Sequence, residues 1–204
     1  IVKNLLKQIK NNVSFDLKIL VTGSHLSKLH GFTLNEIKRE KFNVDYKVSI
    51  NLKTINMSKI TSKIMTETSN ILKKFKPSFV IILGDRYELL GCALSCYFNS
   101  IPIVHIHGGE KTMGAIDDNI RHCISKLSFL HLVTHKTYYN RILQLGESKK
   151  SVYNVGGLGA ESLRNTKNIK KKSYLLKKKL NLSKNYLLIT YHSETFNLKN
   201  DFVN

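Results

Sequence analysis

Hydrophobic residues follow two patterns that alternate along this 204-residue chain. Short runs such as residues 79–83 and 101–106 are almost wholly apolar, and Gly or Pro stands beside them, which is typical of buried parallel strands. Longer stretches such as residues 58–75 carry isoleucine and leucine at helical spacing and predict amphipathic helices. Because the two patterns alternate with short connections, the chain is predicted to form a Rossmann-like α/β fold, an open parallel sheet with helices on both faces.

The pattern also predicts where each element and each domain lies. Residues 1–12 are predicted to be helical, and residues 1–170 to form an N-terminal Rossmann-like domain. Residues 171–204 would supply a linker helix and the first strand of a second domain. Because the chain lacks an initiator Met and stops just after a strand-like run, we expect a fragment without its first strand. The predicted strands are 15–22, 44–50, 79–83, 101–106, 130–134, 152–155 and 186–191, and the predicted internal helices are 58–75, 86–98, 115–128 and 136–145.

The formal charge of +19 raises the question of a nucleic-acid partner. Much of the excess lies in one lysine-rich segment, residues 149–184, whose leucines leave the lysines on a solvated helix face. It contains no base-reading motif, so we expect no nucleic-acid partner, although a positive surface favours an anionic ligand. No apolar run approaches the roughly 20 residues needed to cross a bilayer, and the start does not resemble a signal peptide. We therefore expect a cytoplasmic protein without a membrane partner, in which Cys92, Cys96 and Cys123 are reduced and buried.

Dense polar clusters follow the predicted strands directly. The segment GSH comes after the first strand, GDRYE after residues 79–83, HGGE after residues 101–106, and HSET after residues 186–191. In open parallel sheets, ligands bind outside the carboxyl ends of the strands. The sequence therefore predicts one ligand site at this edge of the sheet.

The segment GDRYE carries two candidates, Asp85 and Arg86, at a strand-to-helix turn. Asp85 could simply cap the following helix, whereas Arg86 and nearby backbone N–H groups could face a phosphate. Both interpretations stay open, and they are compatible with each other.

The segment HIHGGE carries three more candidates. Strand alternation would put His105 and His107 on one face, with Glu110 exposed at the strand end. Gly108 and Gly109 would permit a close backbone approach or a turn with positive φ. A metal held by the two histidines lacks a third ligand fixed by spacing, so we expect no metal, and one histidine could be a hydrogen-bonded structural residue.

The segment GAIDDNIRH begins a helix and holds a cluster of ionisable groups. Asp117 and Arg121 are four residues apart, as are Asp118 and His122, so each pair would share a face. The acids could merely complement the helix dipole. Alternatively, carboxylates near an Arg and a His suit acid–base chemistry by groups with separated pKa values.

Taken together, these motifs resemble those of the hydrolysing UDP-N-acetylglucosamine 2-epimerases of sialic-acid biosynthesis. The combination of GDR, HGGE and IDD followed by RH is specific, and the resemblance covers nearly the whole chain. It implies a GT-B-like enzyme of two Rossmann-like domains, here with the second truncated, that is a dimer or tetramer when full length. It also implies elimination of UDP to give 2-acetamidoglucal, then hydration to N-acetylmannosamine, without metal or NAD. Relatives acting on UDP-2,4-diacetamido-2,4,6-trideoxy sugars, on the route to legionaminic acid, are the nearest alternative, and a GT-B glycosyltransferase is a third.

The resemblance also implies roles for particular residues. Asp85, Asp117 and Asp118 match the catalytic acids of the family, while Arg86 and His192 match groups on the nucleotide side. Arg121 is included among the substrate-binding candidates. Many members have Glu at the position of His107, so the proton transfer made by that Glu could fall to His107 or to Glu110 here.

Overall fold

The computed structural model describes residues 2–27, 32–50 and 56–164. The predicted strand at 186–191, the boundary near residue 170, the lysine-rich region beyond residue 164 and His192 all lie outside the described residues. Within the described ranges, every helix is too short or too polar to cross a lipid bilayer.

Every strand pairing in the described part of the chain is parallel. Strands β1 (Leu20–Thr22) and β2 (Tyr46–Val48) pair with each other, while β3 to β6 form a four-stranded sheet in sequential order. This order confirms the predicted alternation of strands and helices. A helix follows each of β3, β4 and β5 and carries the chain back to the edge of the sheet at which the next parallel strand begins. The larger sheet consists of β3 (Val80–Leu83), β4 (Ile103–Ile106), β5 (Leu130–Val133) and β6 (Val152–Asn154).

The helices confirm the predicted alternation, with ends shifted by one to a few residues. Two short helices, α2 and α7, were not predicted, because each holds too few turns to show a periodic pattern. The helices are α1 (Lys3–Asn11), α2 (Leu34–Arg39), α3 (Met57–Phe75), α4 (Tyr87–Phe98), α5 (Ile116–Lys126), α6 (Lys136–Gln144) and α7 (Leu158–Arg164).

The first strand is shorter than predicted. Residues 15–19 have apolar and polar alternation, but ladder pairing begins only at Leu20. Asp45 instead holds the chain just before the strand, because its carboxylate accepts from the backbone N–H of Ile19 at 2.8 Å.

The main core lies between the larger sheet and the α3–α4–α5 layer. All four residues of β4 are buried, as expected for a strand covered on both faces. A second, smaller cluster packs α6 against β5 and β6. The core residues of the main cluster are Val48, Ile60, Ile64, Leu72, Ile82, Cys92, Ala93, Cys96, Ile101, Ile103, Ile120 and Ile124.

The cysteine prediction is partly wrong. Cys92 and Cys96 are buried free thiols on α4, and burial raises the pKa of Cys92 to about 11 and that of Cys96 to about 12. Cys123 is a free thiol too, but it is exposed, because α5 turns this position away from the sheet.

Candidate active site

The loops that leave β3 and β4 are brought together by the first turns of α5. The side chain of Arg121, only 6% exposed, reaches back from α5 and donates to the carboxylate of Asp85 after β3. The same guanidinium donates to the hydroxyl of Thr112 at 3.0 Å. Thr112 also donates its backbone N–H to Asp118 at 2.7 Å. Segments far apart in sequence therefore share one hydrogen-bonded cluster at the carboxyl edge of the sheet.

The partners of Asp85 and of the α5 carboxylates differ from two sequence expectations. Asp85 does not cap α4, since Arg86 occupies the N-cap position and makes no side-chain cap bond. Of the two α5 carboxylates, the one paired with Arg121 is that of Asp118, at 3.7 Å, and not that of Asp117. Asp118 does share a face with His122, as predicted, with 3.9 Å between Oδ2 and Nε2.

Asp117 lies instead near the charged side chains of Arg86 and Glu88 at the start of α4. Its pKa is raised, chiefly by burial and further by the carboxylate of Glu88, while the guanidinium of Arg86 opposes the rise. The raised pKa favours the protonated form of Asp117 relative to an ordinary aspartate.

His105 and His107 do not share one face, because β4 ends at Ile106 and His107 adopts a left-handed conformation with φ of 66°. His105 is fully buried, with Nδ1 3.0 Å from the hydroxyl of Ser125 and Nε2 2.8 Å from the carbonyl of Gly84. Burial lowers its pKa to about 4, so His105 is the structural histidine of the pair.

His107 is held by a carboxylate in the manner of a catalytic base. Its Nδ1 lies 2.7 Å from Glu110 Oε1, and the same oxygen accepts from the hydroxyl of Thr134 at 3.0 Å. Because a carboxylate only accepts, Nδ1 carries the proton in the neutral ring and Nε2 is left with its lone pair. Within the described residues, Nε2 is buried and has no hydrogen-bond partner.

The glycines of HGGE include the predicted turn with positive φ, at Gly109, and both of them also permit close packing. A Cβ on Gly109, whose φ is +75°, would lie 2.6 Å from the carbonyl oxygen of Tyr138 on α6. A Cβ on Gly108 would lie 2.9 Å from the hydroxyl of Ser125 on α5. Arg141 donates to the carbonyl of Gly109 and fixes the loop from the other side.

The guanidinium of Arg86 is turned toward Glu88, a contact that motif analysis did not predict. Nε and Nη2 of Arg86 donate to the two carboxylate oxygens of Glu88 at 3.2 and 3.0 Å. Glu88 was quoted within GDRYE but received no role, and neither did Thr112 or Thr134. Thr134 follows β5 directly, so its place at a strand carboxyl end was the available signal.

The described residues contain no group of three His, Cys, Asp or Glu side chains arranged to hold a metal ion.

A family model described as UDP-N-acetylglucosamine 2-epimerase matches residues 7–203. The chain belongs to this family. A relative from Campylobacter jejuni is named GDP/UDP-N,N'-diacetylbacillosamine 2-epimerase (hydrolysing). It is 43% identical to this chain, and the match covers 98% of this chain and 53% of the relative. The polysialic acid biosynthesis protein P7 of Escherichia coli is 37% identical over 96% of this chain and 50% of its own length. The chain thus spans about half the length of these curated relatives.

The fold of this epimerase-family chain agrees with solved structures. The UDP-GlcNAc 2-epimerase of Neisseria meningitidis, in a crystal structure with UDP-GlcNAc bound, superposes with a TM-score of 0.70 at 20% identity. The match covers 87% of this chain and 50% of that one. At this identity the likeness establishes the α/β, GT-B-type fold alone.

Proposed function

We propose that this epimerase-family chain belongs to a hydrolysing 2-epimerase that acts on a UDP-linked 2-acetamido sugar. The observation that carries the proposal is the convergence of the loops after β3 and β4 with the start of α5, which Arg121 ties together through Asp85 and Thr112. His105 of the HIHGGE segment also contacts the carbonyl of Gly84 in GDRYE. Family membership and the name of the 43% identical relative support the same reaction class.

In the first step, a base removes the C2 proton of the sugar while the C1–oxygen bond breaks and UDP departs with the electron pair. The resulting 2-acetamidoglucal carries the C1–C2 double bond. We assign the base to Nε2 of His107, which Glu110 holds in the required tautomer. The diphosphate is anionic both before and after it departs, and we assign Arg86 to bind it in both states.

In the second step, water adds its oxygen to C1 while C2 receives a proton from the opposite face, which inverts C2. We assign the proton donor to Asp117, because its raised pKa favours the protonated form. Asp85 and Asp118 would hold the guanidinium of Arg121 in place beside the sugar. His192, outside the described residues, remains a proposed nucleotide-side group.

Two sugars are candidate substrates, and each has its own support. UDP-N-acetylglucosamine, giving N-acetylmannosamine for sialic-acid synthesis, is supported by the family description and by the polysialic-acid relative. UDP-2,4-diacetamido-2,4,6-trideoxy sugars are supported by the name of the 43% identical relative.

The test is incubation of the full-length protein with each UDP-sugar in deuterated water. We expect free UDP and a C2-inverted sugar that carries deuterium at C2. Sugar transfer to an acceptor without C2 exchange would instead indicate a glycosyltransferase, and the absence of both reactions would contradict the proposal. The ratio of kcat/KM between the two sugars decides which is the substrate.

A further inference from the structure

Glu88 is a buried carboxylate that the proposed reaction steps do not use. It lies in the first turn of α4, and its side chain is only 3% exposed. Burying a carboxylate is unfavourable unless it is paired and hydrogen-bonded, so its position needs a partner. The partner is Arg86, which donates to both of its oxygens and is itself 55% exposed.

The pairing fixes the orientation of an otherwise mobile side chain. Two parallel N–H···O bonds lock a guanidinium in one plane, whereas an exposed Arg without such a partner samples many rotamers. The hydrogen bonds to Glu88 also raise the pKa of Arg86, and the guanidinium is cationic at every physiological pH. Of its five N–H donors, the two bonds to Glu88 use two, which leaves the rest for a ligand.

The fold makes room for this carboxylate through a glycine after β1. A Cβ on Gly23 would lie 3.1 Å from Glu88 Oε1, closer than ordinary packing allows. Gly23 has a φ of +67°, which also favours glycine. Gly23 of the GSH segment after β1 therefore lies against the buried end of the Arg86–Glu88 pair.

We propose that Glu88 is a positioning residue, which holds the Arg86 guanidinium ready for the diphosphate of the nucleotide sugar. The inference rests on the proposed function for the identity of the ligand. Its consequence is specific: Glu88 acts only through Arg86, so its loss weakens binding of UDP and UDP-sugar more than it slows the chemical step.

The test is a double-mutant cycle on the full-length protein, with UDP affinity measured by calorimetry and kcat and KM measured on the better UDP-sugar. In Glu88→Gln, the amide presents a donor to the guanidinium where a carboxylate oxygen stood. We expect the Kd for UDP and the KM to rise about tenfold, with kcat changed by less than about threefold. In the Arg86→Ala background, Glu88→Gln should change the Kd by less than about twofold.

Two further variants separate positioning from a merely structural role. Arg86→Lys keeps the positive charge but loses the planar pair of N–H donors that binds both carboxylate oxygens of Glu88. It should therefore lose UDP affinity to about the same extent as Glu88→Gln. Glu67→Gln, the same substitution at an exposed position of α3, should leave Kd and KM at the wild-type values. Melting temperatures of all variants show whether each one is folded at the assay temperature.

Equal effects of Glu88→Gln with and without Arg86 would overturn the inference, as would wild-type UDP affinity in Glu88→Gln. These outcomes are distinct from failure of the proposed function. If the wild-type protein binds UDP but releases none from either UDP-sugar, the reaction is wrong while the coupling between Glu88 and Arg86 is still measured.

Discussion

At the scale of single residues, the site depends on which side chains can carry a proton and on which hydrogen-bond partner fixes each side chain in place. His105 and His107 are two positions apart, yet one is buried against Ser125 and the other is held by Glu110. Asp117 and Asp118 are adjacent, but Asp118 accepts from the backbone N–H of Thr112, whereas burial raises the pKa of Asp117. Each of these differences has a consequence that a substitution can measure.

Asp117→Asn should block protonation of C2, so that 2-acetamidoglucal accumulates in place of the C2-inverted sugar, and should still leave a folded protein. The raised pKa means that ionisation of Asp117 is less favourable in the folded than in the unfolded state. Its contribution to stability is therefore present at low pH and is lost as pH rises through the folded pKa. The variant should melt at or above the wild-type temperature at pH 7, and activity that persists would show that Asp117 merely complements the helix dipole.

His107→Gln and Glu110→Gln together distinguish the base from the residue that orients it. Loss of the base should lower kcat/KM by a factor of about 10² to 10⁴. Glu110→Gln should cost less, since an amide oxygen can still accept from Nδ1–H of His107. Deuterium exchange at C2 in a stopped reaction measures the step directly. If Glu110→Gln abolishes exchange while His107→Gln retains it, Glu110 is the base.

At the scale of elements, α3 and α4 are packed so closely that a glycine is required between them. A Cβ on Gly91 of α4 would lie 2.7 Å from the carbonyl oxygen of Thr61 on α3. That oxygen belongs to the helix backbone and cannot rotate away. The same face of α4 buries Cys92, Ser95 and Cys96, so the two helices would have to move apart as bodies.

Gly91→Ala should therefore lower the free energy of unfolding by about 1–3 kcal/mol. Gly159→Ala on α7 is the matched control, because a Cβ there meets nothing within 4 Å. The control should leave stability unchanged or raise it by up to about 1 kcal/mol. Urea unfolding followed by circular dichroism measures both variants, and equal effects would contradict the close packing of α3 on α4.

At the scale of the whole molecule, buried histidines should make stability depend on pH. His105 on β4 and His131 on β5 are register partners, both fully buried, and burial lowers the pKa of each. Glu147 lies 3.5 Å from His131 and opposes the fall of its pKa, while Ser125 and Gly84 contact His105. The neutral rings are thus part of the folded state.

For His105, the folded pKa of about 4 lies below the ordinary value, so its stabilising contribution is present above about pH 6.5 and is lost as pH falls toward 4. Between pH 7 and pH 5 this group alone should reduce the free energy of unfolding by about 2 kcal/mol. His105→Gln should be less stable at pH 7 but should lose less on acidification. Urea titrations at both pH values test this, and an unchanged pH difference would contradict it.

The alternation of apolar runs and helical spacing determined the element order, the parallel pairing and the strand edge that carries the polar motifs, because these follow from local periodicity and right-handed crossovers. The motifs and their order determined the family. Tertiary structure alone decided that Arg121 contacts Asp85, that His105 is structural while Glu110 holds His107, and that Glu88 holds Arg86. The Arg121–Asp85 contact joins two loops, the place of His107 follows from its own backbone angle, and the Arg86–Glu88 contact depends on how two nearby side chains are turned. Periodicity carries no information about any of these.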